Sequence, residues 1–85
     1  MYIRYTNHAL ERMLEREISE ELVEKTMRDP DIMEFSQRDA SRFIAIKRHS
    51  FPHMKPHVLI VIYEVQNDNL LVITLIDTSK VNTYT

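Results

Sequence analysis

The sequence predicts an α+β fold in which two N-terminal helices pack on a three- to four-stranded antiparallel sheet. The first third of the chain has apolar residues at helical spacing between two capping signals, whereas the remainder has runs of β-branched residues. A polar segment, QNDN at residues 66–69, separates the last two runs and suits a hairpin connection. With 85 residues, we expect one domain, residues 1–85.

The two helices are predicted from their N-caps. Thr6 begins the first helix and Ser19 the second, because Ser and Thr side chains accept hydrogen bonds from the first free N–H groups of a helix. The second helix ends before Pro30, since the residue before a proline disfavours helical conformation. The residues expected to face the core are Ala9, Leu10, Met13 and Leu14 in the first helix and Leu22, Val23 and Met27 in the second.

Four later segments are predicted as strands. IMEF, residues 32–35, is a short one, and RFIAIKRH, residues 42–49, alternates as a half-buried strand does and carries charges that suit a sheet edge. HVLIVIYEV, residues 57–65, and LLVITLID, residues 70–77, are nearly continuously apolar, so we expect them at the sheet centre.

The composition excludes several classes of protein. Without cysteine there is no disulfide framework and no thiolate metal site, and without glycine there is no glycine-rich phosphate loop. The longest apolar run, residues 58–63, is far too short for a membrane span, and the first residues lack the apolar region of a signal peptide. We therefore expect a cytoplasmic protein that does not bind membranes.

The charges are unevenly distributed along the chain. Its net charge is -2, yet residues 36–85 carry six Lys or Arg against four acids. Between Arg38 and His57 lie five Lys or Arg and a single acid, Asp39. Because association with a polyanion depends on the local patch more than on the total charge, a nucleic-acid partner is compatible with this sequence.

His8, Arg12 and Arg16 recur every four residues along the first helix. Successive members are offset by about 40°, so they form one basic stripe beside the apolar face. One interpretation is a solvated surface on which the arginines pair with Glu15 and Glu20 for a few tenths of a kcal/mol. The other is an anion site, in which two guanidiniums bind phosphate oxygens and the imidazole titrates near neutral pH.

The segment HALERMLEREIS, residues 8–19, resembles the opening motif of the domain-of-unknown-function family numbered 4258, which reads His-Ala-x-x-Arg-Met-x-x-Arg-x-Ile/Val-Ser. LIVIYE, residues 59–64, and LLVITLID resemble its hydrophobic strands. Members commonly carry glycine where this chain has Glu17, so its first helix must end differently or bear strain.

That family is similar to the RelE and BrnT toxins of bacterial toxin–antitoxin pairs, which are small α+β ribonucleases. The resemblance implies a RelE-like toxin fold and a toxin-like endoribonuclease that cleaves RNA without metal and is inhibited by a cognate antitoxin. The implied partners are RNA, including ribosome-bound message, and the antitoxin. Because residues 42–49 carry charges that suit an edge strand, we expect the antitoxin or a second copy in a homodimer to dock near them. The alternative is a non-catalytic RNA- or protein-binding module that uses the same basic groove.

Metal-free RNA cleavage requires a base, cations at the phosphate and an acid for the leaving oxygen. The candidate catalytic residues are His8, Arg12, Lys47, Tyr63 and Lys80, and the candidate substrate-binding residues are Arg16, Arg42, Arg48, His49 and Ser79. Strand alternation places Lys47 and His49 on one face and Arg42 and Arg48 on the other, so one pair is expected to meet the site. Tyr63 is alternatively a core aromatic residue with its hydroxyl at the rim.

No cofactor or metal is predicted. His49, His53 and His57 are spaced as metal ligands on a helix would be, but the intervening prolines forbid a regular helix. Residues 43–57 also contain no carboxylate to complete a zinc site. We expect this basic loop to contact RNA or a protein partner.

Overall fold

The computed structural model describes residues 2–36, 41–50 and 56–79, which form a five-stranded sheet with two helices packed on one face. In chain order the elements are β1 (Tyr2–Tyr5), α1 (Asn7–Arg16), α2 (Glu20–Arg28), β2 (Ile32–Phe35), β3 (Arg42–His49), β4 (His57–Gln66) and β5 (Asn69–Thr78). The strands are arranged in the order β1-β5-β4-β3-β2, so β4 lies at the centre, as its nearly continuous apolar sequence predicts.

The predicted three- to four-stranded antiparallel sheet is wrong in the number and the direction of its strands. The residues before α1 form a fifth strand, β1, which pairs with β5 in parallel and places Tyr2 opposite Asn69. The other three pairings are antiparallel. The purely antiparallel sheet expected for a RelE-like toxin fold is therefore not the sheet of this chain.

The strand predicted as an edge, β3, is also placed differently. It lies between β4 and β2, so both of its backbone edges are paired with neighbouring strands. The outer strands are β1 and β2. A partner that adds a strand to this sheet would therefore have to do so at β1 or β2.

Both predicted N-caps are confirmed. Thr6 Oγ1 accepts a hydrogen bond from Ala9 N–H at 3.1 Å, and Ser19 Oγ accepts one from Leu22 N–H at 3.2 Å. Thr6 also ties α1 to the sheet, because its hydroxyl donates to the carbonyl of Ile73 at 2.7 Å. Ile73 is the extra residue of a β-bulge in β5, where the register with β4 shifts.

The first helix ends in a Schellman motif built without glycine. Glu17 adopts the left-handed conformation, with φ 53° and ψ 45°. Ile18 N–H donates to Met13 O at 2.9 Å, and Glu17 N–H donates to Leu14 O at 3.4 Å. The sequence predicts either a different helix ending or strain at Glu17. The structure shows the strain, because a residue with a side chain occupies the left-handed region.

The main core lies between the helices and the sheet. Ala9, Met13, Val23 and Met27 pack there against central strand residues that include Leu59, Val61, Val72 and Leu75. The prediction that Leu10 and Leu14 face the core is wrong, since they are 41% and 81% exposed. The buried face of α1 is centred on Ala9 and Met13, which leaves both leucines on its solvent side.

A smaller apolar cluster occupies the other face of the sheet. It contains Ile46, Val58 and Ile60, with Ile44 and Ile62 packed against it. Among the helices in the described part of the chain, none is long and apolar enough to cross a membrane.

Candidate functional site

Two histidines and one aspartate meet at one end of the sheet, and we call His49, His57 and Asp77 the imidazole cluster. His49 ends β3 directly opposite His57, which begins β4. Asp77 on β5 is paired with Leu59, two residues beyond His57. Because side chains two residues apart project from the same face, all three lie on the face that carries Leu59 and the helices.

The three side chains are close enough to influence one another's charge. Asp77 Oδ1 lies 3.3 Å from His57 Nδ1 and 3.7 Å from His49 Nε2. Neither contact has the alignment of a hydrogen bond. The two imidazole rings stack at an angle of 26° with their centroids 6.1 Å apart. The cluster thus brings two imidazoles to one carboxylate.

Burial lowers the pKa of His49, which is the more enclosed of the two histidines. The His49 side chain is 14% exposed, and this desolvation lowers its pKa below the usual 6.5. The neighbouring His57 acts in the same direction, whereas the charge of Asp77 opposes it. His49 is therefore held neutral near neutral pH, the form in which an imidazole accepts a proton.

Lys47 lies on the same face as the imidazole cluster but is engaged in structural contacts. Its Nζ donates to the carbonyl oxygen of Asp29 at 2.8 Å and lies 3.5 Å and 3.7 Å from carboxylate oxygens of Asp29 and Asp31. These contacts fasten the C-terminal end of α2 to β3. The predicted catalytic role of Lys47 would require them to be exchanged for contacts with substrate.

Tyr63 occupies the position that its alternative interpretation predicted. It is 7% exposed, its ring stacks on Phe43 at 5.5 Å, and its hydroxyl contacts Met33 Sδ at 3.8 Å. Burial raises the pKa of this hydroxyl. Tyr63 is therefore a core residue, and its catalytic role stays a prediction.

Arg42 and Arg48 project from the face of the sheet opposite to the imidazole cluster, as strand alternation requires. Arg42 Nε lies 3.7 Å from a Glu64 carboxylate oxygen on the neighbouring strand. Ser79 is exposed and directly follows β5, whereas Lys80 lies outside the described residues. The structure thus places Arg42 and Arg48 away from the imidazole cluster, and the role predicted for Lys80 stays a prediction.

The basic stripe of His8, Arg12 and Arg16 lies along α1, with His8 and Arg16 exposed and Arg12 half-buried. Within residues 2–36, 41–50 and 56–79, none of the three side chains forms an ion pair or a hydrogen bond. Among these residues the arginines therefore do not pair with Glu15 and Glu20, but the exposure of His8 and Arg16 agrees with a solvated surface, and both interpretations of the stripe stay open. No such contact joins the stripe to the imidazole cluster either.

Two members of the imidazole cluster, His57 and Asp77, are not among the functional residues that the sequence predicts. The spacing of His57 from His53 points only to a metal ligand in a loop, and His53 lies outside the described residues. Among the described residues, no group of three or more His, Cys, Asp or Glu side chains is arranged to hold a metal ion. Counting back from the turn at residues 67–68 in an unbroken register pairs Asp77 with Val58, on the opposite face from His57. Only the β-bulge at Ile73 brings Asp77 opposite Leu59, so the sequence offers no local signal for this cluster.

Comparison with known proteins identifies the family of this chain. The family described as "Domain of unknown function (DUF4258)" matches residues 5–81, which include the opening motif and both hydrophobic strands. No curated protein and no solved structure matches the chain. The similarity to RelE and BrnT toxins stays a prediction. Because the match covers most of its length, the chain belongs to the DUF4258 family.

Proposed function

We propose that this chain is a toxin-like endoribonuclease that cleaves RNA without a metal ion and is related to RelE and BrnT toxins. The observation that carries the proposal is the contact of two imidazoles, His49 and His57, with the single carboxylate of Asp77. Paired acid and base groups within one site are what phosphodiester cleavage requires in the absence of a metal. In this proposal the acid–base work belongs to the imidazole cluster rather than to His8.

His49 acts as the general base, because its lowered pKa keeps it neutral near pH 7. It takes the proton of a ribose 2′-hydroxyl while the 2′-oxygen attacks the adjacent phosphorus. The bond from phosphorus to the 5′-oxygen breaks, and His57 donates the proton that this leaving oxygen needs. The products are a 2′,3′-cyclic phosphate and a 5′-hydroxyl, so atoms and charges balance without a metal. Asp77 stabilises the imidazolium that each transfer requires.

The basic stripe of α1 supplies the groups that hold the RNA backbone. Arg12 and Arg16 have no ion-pair partner among the described residues, so their guanidiniums need not release a carboxylate before they bind phosphate. Contacts of this kind are independent of base sequence and weaken with added salt.

A cognate antitoxin is part of the proposal, since a cytoplasmic ribonuclease that acts on ribosome-bound message must be kept inactive in its host. Leu10 and Leu14 are exposed on the side of α1 that lies across its buried face from the basic stripe. A partner that covers both surfaces would present an acidic segment to the stripe and an apolar segment to the leucines. We propose that the complex of this chain with the antitoxin is the resting state and that a homodimer of this chain competes with that complex.

A second candidate function is a non-catalytic RNA- or protein-binding module that uses the basic stripe alone. It is favoured by the enclosure of the imidazole cluster, whose side chains are only 14 to 27% exposed. A phosphodiester can reach such groups only if the neighbouring chain moves or the substrate is fully extended.

The test is cleavage of labelled RNA, free and ribosome-bound, by the purified protein in excess EDTA. His49→Ala and His57→Ala should each lower kcat by about 10²–10⁴-fold. His8→Ala should instead raise KM a few-fold with little change in kcat, because it removes a backbone contact. Matching thermal transitions would show that the variants are folded.

Two results would contradict this assignment. If His8→Ala abolishes cleavage while both cluster variants retain it, the acid–base residue lies on α1. If the wild type cleaves neither the free nor the ribosome-bound RNA and is harmless when overexpressed in its host, the chain is a binding module.

A further inference from the structure

The sheet has two open edges, the outer sides of β1 and β2, and both of these strands are four residues long. Within the described part of the chain, no strand pairs with the outer side of either one. Neither strand contains a member of the imidazole cluster or of the basic stripe. The chemistry of these edges is therefore independent of the groups on which the proposed function depends.

The backbone of β1 directs two residues away from the sheet. The N–H groups of Tyr2 and Thr6 donate to carbonyl oxygens on the β5 side at 3.4 Å and 3.0 Å. Because the backbone groups of a strand alternate in direction, those of Ile3 and Tyr5 point away from β5. The outer side of β1 therefore offers the N–H and C=O groups of these two residues to a further strand.

The backbone of β2 also directs two residues outward. The N–H group of Ser36, directly after β2, donates to the carbonyl oxygen of Arg42 at 3.0 Å, so the backbone groups of Met33 and Phe35 point away from β3. The side chains of Met33 and Phe35 are 39% and 66% exposed. The outer side of β2 therefore presents backbone donors and acceptors next to uncovered apolar side chains, the combination that attracts a further strand.

Each edge strand contains one charged residue, and the two charges are opposite. Arg4 in β1 and Glu34 in β2 are both exposed. Among residues 2–36, 41–50 and 56–79, neither side chain forms an ion pair or a hydrogen bond. Both project from the sheet face opposite to the helices, because their neighbours in each strand lie on the helix face. The two edges thus carry unpaired opposite charges on the same face of the sheet.

The directions of the strands allow the two edges of different copies to pair. β1 is parallel to β5, whereas three antiparallel steps lead from β5 to β2. The two edge strands of one chain therefore run in opposite directions. A second copy translated across the sheet brings its β1 antiparallel to β2 of the first copy, and the helices of both copies lie on the same side of the continued sheet.

One register of this pair matches all of the outward groups. It places Arg4 of one copy directly opposite Glu34 of the other in a non-hydrogen-bonded pair, where facing side chains are closest. The hydrogen-bonded pairs on either side of it are Ile3 with Phe35 and Tyr5 with Met33. The exposed Phe35 side chain is then covered, and both charges gain a partner.

The charges disfavour the pairing of identical edges. Two β2 strands aligned at their centres would set Glu34 against Glu34, and two β1 strands would set Arg4 against Arg4. Like charges directly opposite one another destabilise a strand pair, whereas opposite charges stabilise it. The charges therefore select β1 with β2.

We propose that this chain associates head to tail, with β1 of one copy docked antiparallel on β2 of the next and Arg4 paired with Glu34. Two copies joined in this way leave one β1 edge and one β2 edge open, so the association continues beyond a dimer.

The experiment is sedimentation equilibrium of the full chain from micromolar to millimolar concentration. The mean mass of the wild type should rise with concentration above the mass of one chain. Arg4→Glu and Glu34→Arg should each weaken the association by roughly tenfold, because each sets like charges opposite one another. An equimolar mixture of the two variants should regain the association, since β1 of each variant then meets a complementary β2 on the other.

Lys25→Glu and Glu21→Arg are the matched controls, because they make the same changes of charge at exposed positions of α2. Each should associate as the wild type does, alone and in their mixture. A wild type that stays monomeric at every concentration would overturn the proposal. So would unchanged association in both edge variants, or a mixture of them that remains as weak as each alone.

Disulfide formation tests the register independently, and the chain has no cysteine of its own. The Cα atoms of a non-hydrogen-bonded pair lie about 4.5 Å apart, within the range of about 4.4–6.8 Å that a disulfide spans. With oxidised glutathione, an equimolar mixture of Arg4→Cys and Glu34→Cys should therefore give the mixed dimer in excess over both homodimers. Tyr2→Cys mixed with Glu34→Cys is the control, because Tyr2 lies two residues out of register on the same face. A random share of mixed dimer in both mixtures would overturn the proposed pairing.

Discussion

Replacing Glu17 with glycine should stabilise this protein, because Glu17 holds the left-handed position that ends α1. Its φ of 53° and ψ of 45° cost a residue with a side chain roughly 1–2 kcal/mol relative to glycine. Glycine offsets part of that gain, since it adds about 0.4–1 kcal/mol of conformational freedom to the unfolded chain. The net gain for Glu17→Gly is therefore about 0.5–1 kcal/mol, or a rise in Tm of roughly 2–8 °C for a domain of this size.

Urea and thermal unfolding measure this difference directly. Glu17→Ala is the control, because it removes the carboxylate but keeps a Cβ in the left-handed region, and its stability should stay within about 0.5 kcal/mol of the wild type. If Glu17→Gly is instead destabilised by about 1 kcal/mol, as glycine is within a helix, then α1 continues through this position. That result would refute the Schellman ending and the placement of Ile18 in the core.

Three further predictions concern stability. Lys47→Met should lower the free energy of unfolding by about 1–3 kcal/mol in urea titrations, because it removes a charged donor from the carbonyl of Asp29. Lys25→Met, on the exposed side of α2, is the control and should change the free energy of unfolding by less than about 0.5 kcal/mol. Equal effects of the two substitutions would mean that Lys47 does not hold α2 to β3. Val61→Asp should abolish the cooperative thermal transition, since Val61 is fully buried and an unpaired carboxylate there costs several kcal/mol. If the transition is intact in this variant, the placement of β4 in the core is wrong. His49 has a folded-state pKa below 6.5, so the unfolded chain binds more protons as the pH falls through 6.5, and stability is lost there. Between about pH 7.5 and 5.5 the wild type should lose more stability in urea than His49→Gln, and equal losses would contradict the burial of His49.

Local signals were sufficient to predict the helices and most strands. Thr6 and Ser19 cap their helices by accepting hydrogen bonds from the residues three positions later in the chain. Their role can therefore be predicted from the neighbouring sequence alone. The pairing of β1 with β5 instead joins residues that are far apart in the chain, such as Tyr2 and Asn69, so the sequence next to either strand does not indicate it. A four-residue strand next to a helix cap therefore could not be distinguished from a loop.

The imidazole cluster depends on register in the same way. Asp77 is distant from His49 in the chain, and only the pairings of β3 with β4 and of β4 with β5 bring them together. The β-bulge at Ile73 then shifts the register by one residue, which no propensity argument specifies. The basic stripe on α1 was predictable because helical periodicity alone aligns its members.

The pH dependence of kcat/KM for RNA cleavage tests the proposed acid–base pair most directly. A neutral base and a protonated acid within one site give a bell-shaped profile, whose rising limb falls below pH 6.5 because burial lowers the pKa of His49. We expect the rising limb to disappear in His49→Ala, and His57→Ala to lower the rate at every pH, with a low rate remaining in each. A rising limb that is the same in the wild type and His49→Ala, or the absence of cleavage at every pH, would contradict the proposed pair.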